Sequence, residues 1–155
     1  MLERRISRAG LAGSVRLMPS VGWDDMPGVY AAASVFALPC RTRLRGREPE
    51  ALGLVFLEAA ASRLPVVVGN SGGAPETVVD GLTGHVVNGR DAPAVAAAIS
   101  SLLAEPEMAH AMGMRGRGWV SEQYSGGAVH ALQEALTDAT PRANRRCESR
   151  PGGRS

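Results

Sequence analysis

The sequence predicts an α/β fold: a parallel, doubly wound, Rossmann-like sheet. Three observations carry this. Short apolar runs, partly β-branched, alternate along the chain with longer helix-like segments. The runs are apolar throughout rather than alternating, as strands covered on both faces are. Finally, 45% of the 155 residues are apolar but only 4% are aromatic, and Ala and Gly abound, which suits helices lying close against strands.

Taken in order, residues Leu2 to Ala12 suggest the end of a helix closed by Gly10 or Gly13. Strands are expected at Val15–Met18, Val35–Leu38, Pro65–Val68 and His85–Val87, the last opened by Gly84. Helices are expected at Asp24–Ala33, Gly53–Arg63 and Pro75–Asp80, then at Ala92–Ala104, Glu107–Gln123 and Gly127–Ala139. Trp23 with Asp24 and Asp25 suggests a capped helix start. Pro93 and Pro106 fall near helix starts, where a missing N–H costs nothing. From Thr140 onward Arg, Pro, Gly and Ser dominate, and a disordered tail is expected. The division is thus an α/β domain over residues 1–139, incomplete at its N-terminus because it opens inside a helix, and an Arg-rich tail over 140–155.

Composition excludes several functions. All 17 basic residues are Arg. Without Lys the chain carries neither a P-loop nor a Schiff base. The tail holds five Arg and one Glu, while residues 1–139 hold 12 Arg against 14 acids. A slightly acidic body argues against nucleic-acid binding. Cys40 and Cys147 form no disulfide framework, which makes a reducing cytoplasm the default, and His85, His110 and His130 have no ligand spacing, so no metal is expected. No apolar run is long enough to span a membrane, and no signal peptide opens the chain.

The stretch that carries chemistry is Glu48–Arg63, EPEALGLVFLEAAASR. From Leu54 to Ala61 every residue but Glu58 is apolar, as in a buried helix. A carboxylate there is costly unless something donates to it, and a ribose diol can do so. Glu50 falls just before the helix, in a loop after a strand, where ligands of open α/β sheets bind. The first-turn amides of Leu54 and Val55 lack helical acceptors, and the helix dipole favours an anion beside them. An acid, a row of amides and a second acid suit a sugar, a diphosphate and a ribose in turn. An exposed loop acid and a helix-edge acid are the plainer alternatives. A second stretch, PVVVGNSGGAPETVVD over Pro65–Asp80, runs from a buried strand through Gly72 and Gly73 into a helix, with Ser71 as a local cap and Glu76 complementing the dipole; alone it suggests only a βα turn.

Together these segments resemble retaining glycosyltransferases of the GT-B type, and more narrowly the phosphatidylinositol mannosyltransferase group that uses GDP-mannose. The resemblance covers about Val15 to Val87, through VGWDDMPGVYAAASVFALPCRTR, PEALGLVFLEA and LPVVVGNSGGAPETVVDGLTGHVV. It implies the donor-binding, C-terminal half of a GT-B fold, whose N-terminal acceptor domain is missing. Glu50 is then the catalytic-site acid at the donor sugar hydroxyls, the amides of Ala51, Leu52 and Gly53 hold the same sugar, those of Leu54 and Val55 hold the α-phosphate, and Glu58 holds the ribose. Leu17, Met18 and Pro19 line the base. Arg41 and Arg43 contact a phosphate or an anionic acceptor, or else belong to a solvated loop. The implied partners are a nucleotide-sugar donor and a lipid or glycan acceptor, with no metal cofactor, in the cytoplasm and at most peripherally at the inner membrane face. The sequence departs from the family at Pro19, where Gly is usual, and at Ser34, where Asp is frequent. The Gly-Arg strand and the Lys that clamp the diphosphate in the family would lie upstream of Val15 and have no counterpart here. Two alternatives stay open: an inactive truncated or split-gene fragment, and a related nucleotide-sugar enzyme such as an epimerase.

Overall fold

A computed structural model of the chain describes residues 1–41 and 53–124. Helix α1 spans Leu2–Arg8 and buries none of its residues. It stops where Gly10 takes the left-handed conformation at φ 69°, with the Leu11 amide donating back to the Ile6 carbonyl at 3.0 Å. A 3-10 turn at Trp23–Asp25 leads into α2, Met26–Ala31. The expected helix over Asp24–Ala33 is therefore a 3-10 turn followed by a short α-helix, with Pro27 in its first turn. Neither start has a side-chain cap: Asp24 and Asp25 lie in the first turn without bonding to it, contrary to the capped start expected from the sequence.

Strand β1 is Phe36–Leu38, α3 is Leu54–Ala61 and β2 is Val66–Gly69. A 3-10 turn at Ala74–Thr77 precedes β3, Gly84–Val87. Two long helices follow, α4 at Ala92–Ala104 and α5 at Pro106–Tyr124. The bounds of α4 match the sequence expectation because both of its ends are marked locally. The Asp91 carboxylate accepts from the Ala94 amide at 3.0 Å, Pro93 sits in the first turn, and Pro106 opens the next helix. The helix expected over Pro75–Asp80 is only the 3-10 turn at Ala74–Thr77. The Thr77 hydroxyl turns back to the Ala74 carbonyl at 2.6 Å, Val78 is extended, and Asp80 bridges Gly84.

The strands pair in parallel in the order β1–β2–β3, with Phe36 opposite Val66 and Val66 opposite Gly84. Parallel pairing requires crossover connections, and these carry the helices onto the two faces. Val66 and Val68 pack with Tyr30, Phe56, Leu57, Ala60 and Val120 on one face. Val67 packs with Leu102, Ala109 and Met112 on the other. Among the described strands the order runs one way only. Residues Val15–Met18, expected as a strand, are not one: they have no ladder partner among the described residues and stand exposed, with Leu17 at 45% and Met18 at 62%. Apolar character alone does not make a strand when no neighbour supplies its hydrogen bonds.

Small residues set how closely the layers approach. A Cβ at Gly113 of α5 would lie 2.0 Å from the Arg63 carbonyl oxygen, and one at Gly69 would lie 1.8 Å from that of Cys40. The scarcity of large aromatics in the sequence thus corresponds to close backbone contacts made at glycine.

Candidate functional site

The carboxyl ends of the three strands come together at Cys40. Its thiol donates to the Gly69 carbonyl at 3.6 Å, and Gly69 and Gly89 approach its backbone so closely that neither has room for a side chain. Cys40 is thereby part of the packing at this edge. Arg41 follows it, exposed. Residues 42–52, with Arg43, Glu50, Ala51 and Leu52 among them, lie outside the described residues.

The chain is described again at Gly53, which takes the left-handed conformation at φ 67°, ψ 64° and forms the N-cap of α3. Glycine meets that conformation without the steric cost of a Cβ. The Gly53 carbonyl accepts from the Phe56 amide at 2.9 Å, but no side chain caps the helix. By helix geometry the Leu54 and Val55 amides are left without intrahelical acceptors, and Val55 is 36% exposed. This helix start offers amides and the positive end of the dipole to an anion.

One turn further, Glu58 is half-buried between neighbours that are buried on the same helix. Its Oε2 accepts a 2.8 Å hydrogen bond from the Tyr30 hydroxyl, 28 residues earlier in the chain. The cost of holding this carboxylate in an apolar helix is therefore met in part by the protein itself. Tyr30 is 5% exposed. Its ring meets Phe36 edge-on at 5.9 Å, and Phe36 meets Phe56 of α3 likewise at 6.0 Å. Burial pushes the Tyr30 phenol well above its ordinary range, and the hydrogen bond to Glu58 and the charge of that carboxylate push it further. The phenol is thus a proton donor throughout the neutral range.

Trp23, Met26, Pro27, Tyr30, Glu58 and Ser62 line a cleft of about 250 Å³ between α2 and α3. Three of these, Trp23, Met26 and Pro27, supply an apolar wall opposite the carboxylate. Leu17, Met18 and Pro19 are exposed and do not line this cleft. A second hollow of about 270 Å³, with Arg63, Pro65, Leu102 and His110 among its walls, opens at the amino end of β2. That is the edge of the sheet at which ligands of open α/β folds do not bind. Among the described residues no group of three or more His, Cys, Asp or Glu side chains is placed to hold a metal ion. In the second sequence segment, Gly72 takes a positive φ of 58°, as a tight turn after β2 requires, and Ser71 is buried at 3%. Tyr30 carried no signal in the sequence beyond being one of two tyrosines. Only the packing of α2 on α3 brings it to Glu58.

Comparison with known proteins agrees with this architecture. The chain is 48% identical over 123 residues to the GDP-mannose-dependent alpha-(1-6)-phosphatidylinositol monomannoside mannosyltransferase of Mycolicibacterium smegmatis, covering 79% of this chain and 32% of that protein. It is 43% identical over 112 residues to the GDP-mannose-dependent monoacylated alpha-(1-6)-phosphatidylinositol monomannoside mannosyltransferase of Corynebacterium glutamicum, covering 72% of this chain and 29% of that one. The chain therefore spans about a third of the length of these relatives. Among solved structures, sucrose-phosphate synthase from Thermosynechococcus elongatus superposes with a TM-score of 0.73 at 31% identity, over 88% of this chain and 32% of that one. Residues 1–119 match the model of the family described as Glycosyl transferases group 1. With a sheet, a helix start and a match of that extent in agreement, the chain belongs to the group 1 glycosyl transferases.

Proposed function

We propose that this chain is the donor-binding half of a retaining glycosyltransferase that moves mannose from GDP-mannose onto a lipid, of the phosphatidylinositol mannoside kind, or onto a glycan. The observation that carries this reading is the α3 segment: an uncapped helix start at Gly53 and, one turn on, a carboxylate facing a cleft. It lies in a chain that is 48% identical to a GDP-mannose-dependent enzyme. The Leu54 and Val55 amides hold the α-phosphate, and Glu58 accepts from the ribose hydroxyls. Glu50 and the amides of Ala51, Leu52 and Gly53 hold the mannose. Leu17, Met18 and Pro19 flank the base, and Arg41 and Arg43 meet a phosphate or the acceptor headgroup. As the bond from the sugar to the diphosphate breaks, negative charge grows on the leaving phosphate. Fixed amides and a helix dipole aimed at it stabilise that charge without reorganising. Transfer also takes an N-terminal acceptor-binding domain, and the lipid acceptor places the work peripherally at the cytoplasmic membrane face. Among the described residues no helix is long and apolar enough to cross a membrane.

Calorimetry with GDP, UDP and GDP-mannose on the purified chain tests the reading. Binding that prefers the guanine nucleotides and is lost in Glu58→Ala supports it. No binding by a chain whose circular dichroism shows it folded overturns it. A second reading is favoured by the chain's span of about a third of its relatives: the chain alone binds donor nucleotide without turnover. Donor hydrolysis or transfer by the isolated chain would rule that out.

A further inference from the structure

The contact between Tyr30 and Glu58 does more than packing needs. Phenylalanine would fill the same space, because the ring already meets Phe36 edge-on and is almost wholly buried. What Tyr adds is one hydroxyl, and that hydroxyl is aimed at Oε2 of Glu58. Among the described residues no other donor is placed on this carboxylate. A glutamate side chain has three freely turning bonds, whereas a buried aromatic ring packed edge-on against another has almost no freedom. The hydrogen bond therefore transfers the rigidity of the aromatic row Tyr30–Phe36–Phe56 to the carboxylate. An ionised carboxylate has roughly four acceptor sites, so one bond from Tyr30 leaves capacity for a vicinal diol.

We propose that Tyr30 is a positioning residue for ribose recognition: its hydroxyl holds the Glu58 carboxylate in the orientation that accepts from the 2′- and 3′-hydroxyls of a nucleoside diphosphate in the cleft walled by Trp23, Met26 and Pro27. This rests on the reading of Glu58 as the ribose acceptor. A ligand gains from the contact because the carboxylate is already in place and no rotamer freedom is lost on binding. The effect is confined to nucleotides that carry the diol.

The test measures dissociation constants of GDP and of 2′,3′-dideoxy-GDP by calorimetry, on the full chain and on Tyr30→Phe, Glu58→Gln and the double variant. The original chain is expected to prefer GDP by roughly 100-fold or more, as two hydrogen bonds to a charged group imply. Tyr30→Phe is expected to lower that preference about fivefold while leaving the dideoxy nucleotide's affinity unchanged. Partial unfolding would weaken both nucleotides equally, so the dideoxy compound controls for it. Glu58→Gln should remove most of the preference, and the double variant should lose no more than Glu58→Gln alone. If Tyr30→Phe keeps the full diol preference while Glu58→Gln loses it, Tyr30 only packs and the proposal falls, with the role of Glu58 intact. If Glu58→Gln keeps the preference, or GDP does not bind at all, the ribose role of Glu58 falls and the proposal falls with it.

Discussion

Strands β1 and β2 are both short and wholly apolar, yet they occupy different places in the molecule. β2 is buried along its whole length, with Val66, Val67 and Val68 at 1% exposure or less. β1 leaves Ala37 and Leu38 exposed, Leu38 at 41%. β2 pairs on both edges and carries helices on both faces, whereas β1 pairs with β2 alone among the described strands. The residue types hardly differ, so burial here follows from neighbours rather than from hydrophobicity. Residues Val15–Met18 extend the comparison: they are as strand-like in composition as β1 and pair with no strand among the described residues.

The largest test of that difference is Gly69→Ala at the end of β2. Its Cβ would lie 1.8 Å from a backbone oxygen that no side-chain rotation can move, and a loss of about 3 kcal/mol or more is expected by urea unfolding. Leu102→Ala, beneath Val67 and 1% exposed, is expected to cost about 2–4 kcal/mol. Leu38→Ala on β1, by contrast, should cost less than about 1 kcal/mol. Equal losses at Leu102 and Leu38 would show that β1 is as well covered as β2 in solution.

Tyr30→Phe should cost about 1 kcal/mol at neutral pH through the lost bond to Glu58. Its pH dependence sharpens the point. The phenol is raised in the folded state, so its contribution is complete below the ordinary phenol value of about 10 and declines above it, where the unfolded chain ionises first. Unfolding midpoints measured from neutral pH into alkali should therefore fall more steeply for the original chain than for Tyr30→Phe. The smallest effect belongs to Leu17→Ser, within about 0.5 kcal/mol, because the residue already faces solvent.

Much of the fold was legible because its signals are local. Asp91, Pro93 and Pro106 mark both ends of α4 within a few residues, and the run Val66–Val68 between a Pro and a Gly declares a buried strand. The turn at Ala74–Thr77 was less legible, since a threonine hydroxyl competing for a backbone carbonyl ends it early. In the candidate site, Gly53 and Glu58 stand out in a run of apolar residues, and the left-handed cap at Gly53 explains why glycine is there. The second partner of that site was invisible, because nothing in the spacing of Tyr30 and Glu58 links them.

By itself, then, the sequence determined the alternation of strands and helices, the glycines that let backbone meet backbone, and the carboxylate set in an apolar helix. These follow from residue type and near neighbours. Tertiary structure alone decided which apolar runs became strands and which hydroxyl reached Glu58. A strand exists only when another strand completes its hydrogen bonds, and a half-buried carboxylate is held by whichever donor the packing of distant helices brings within reach.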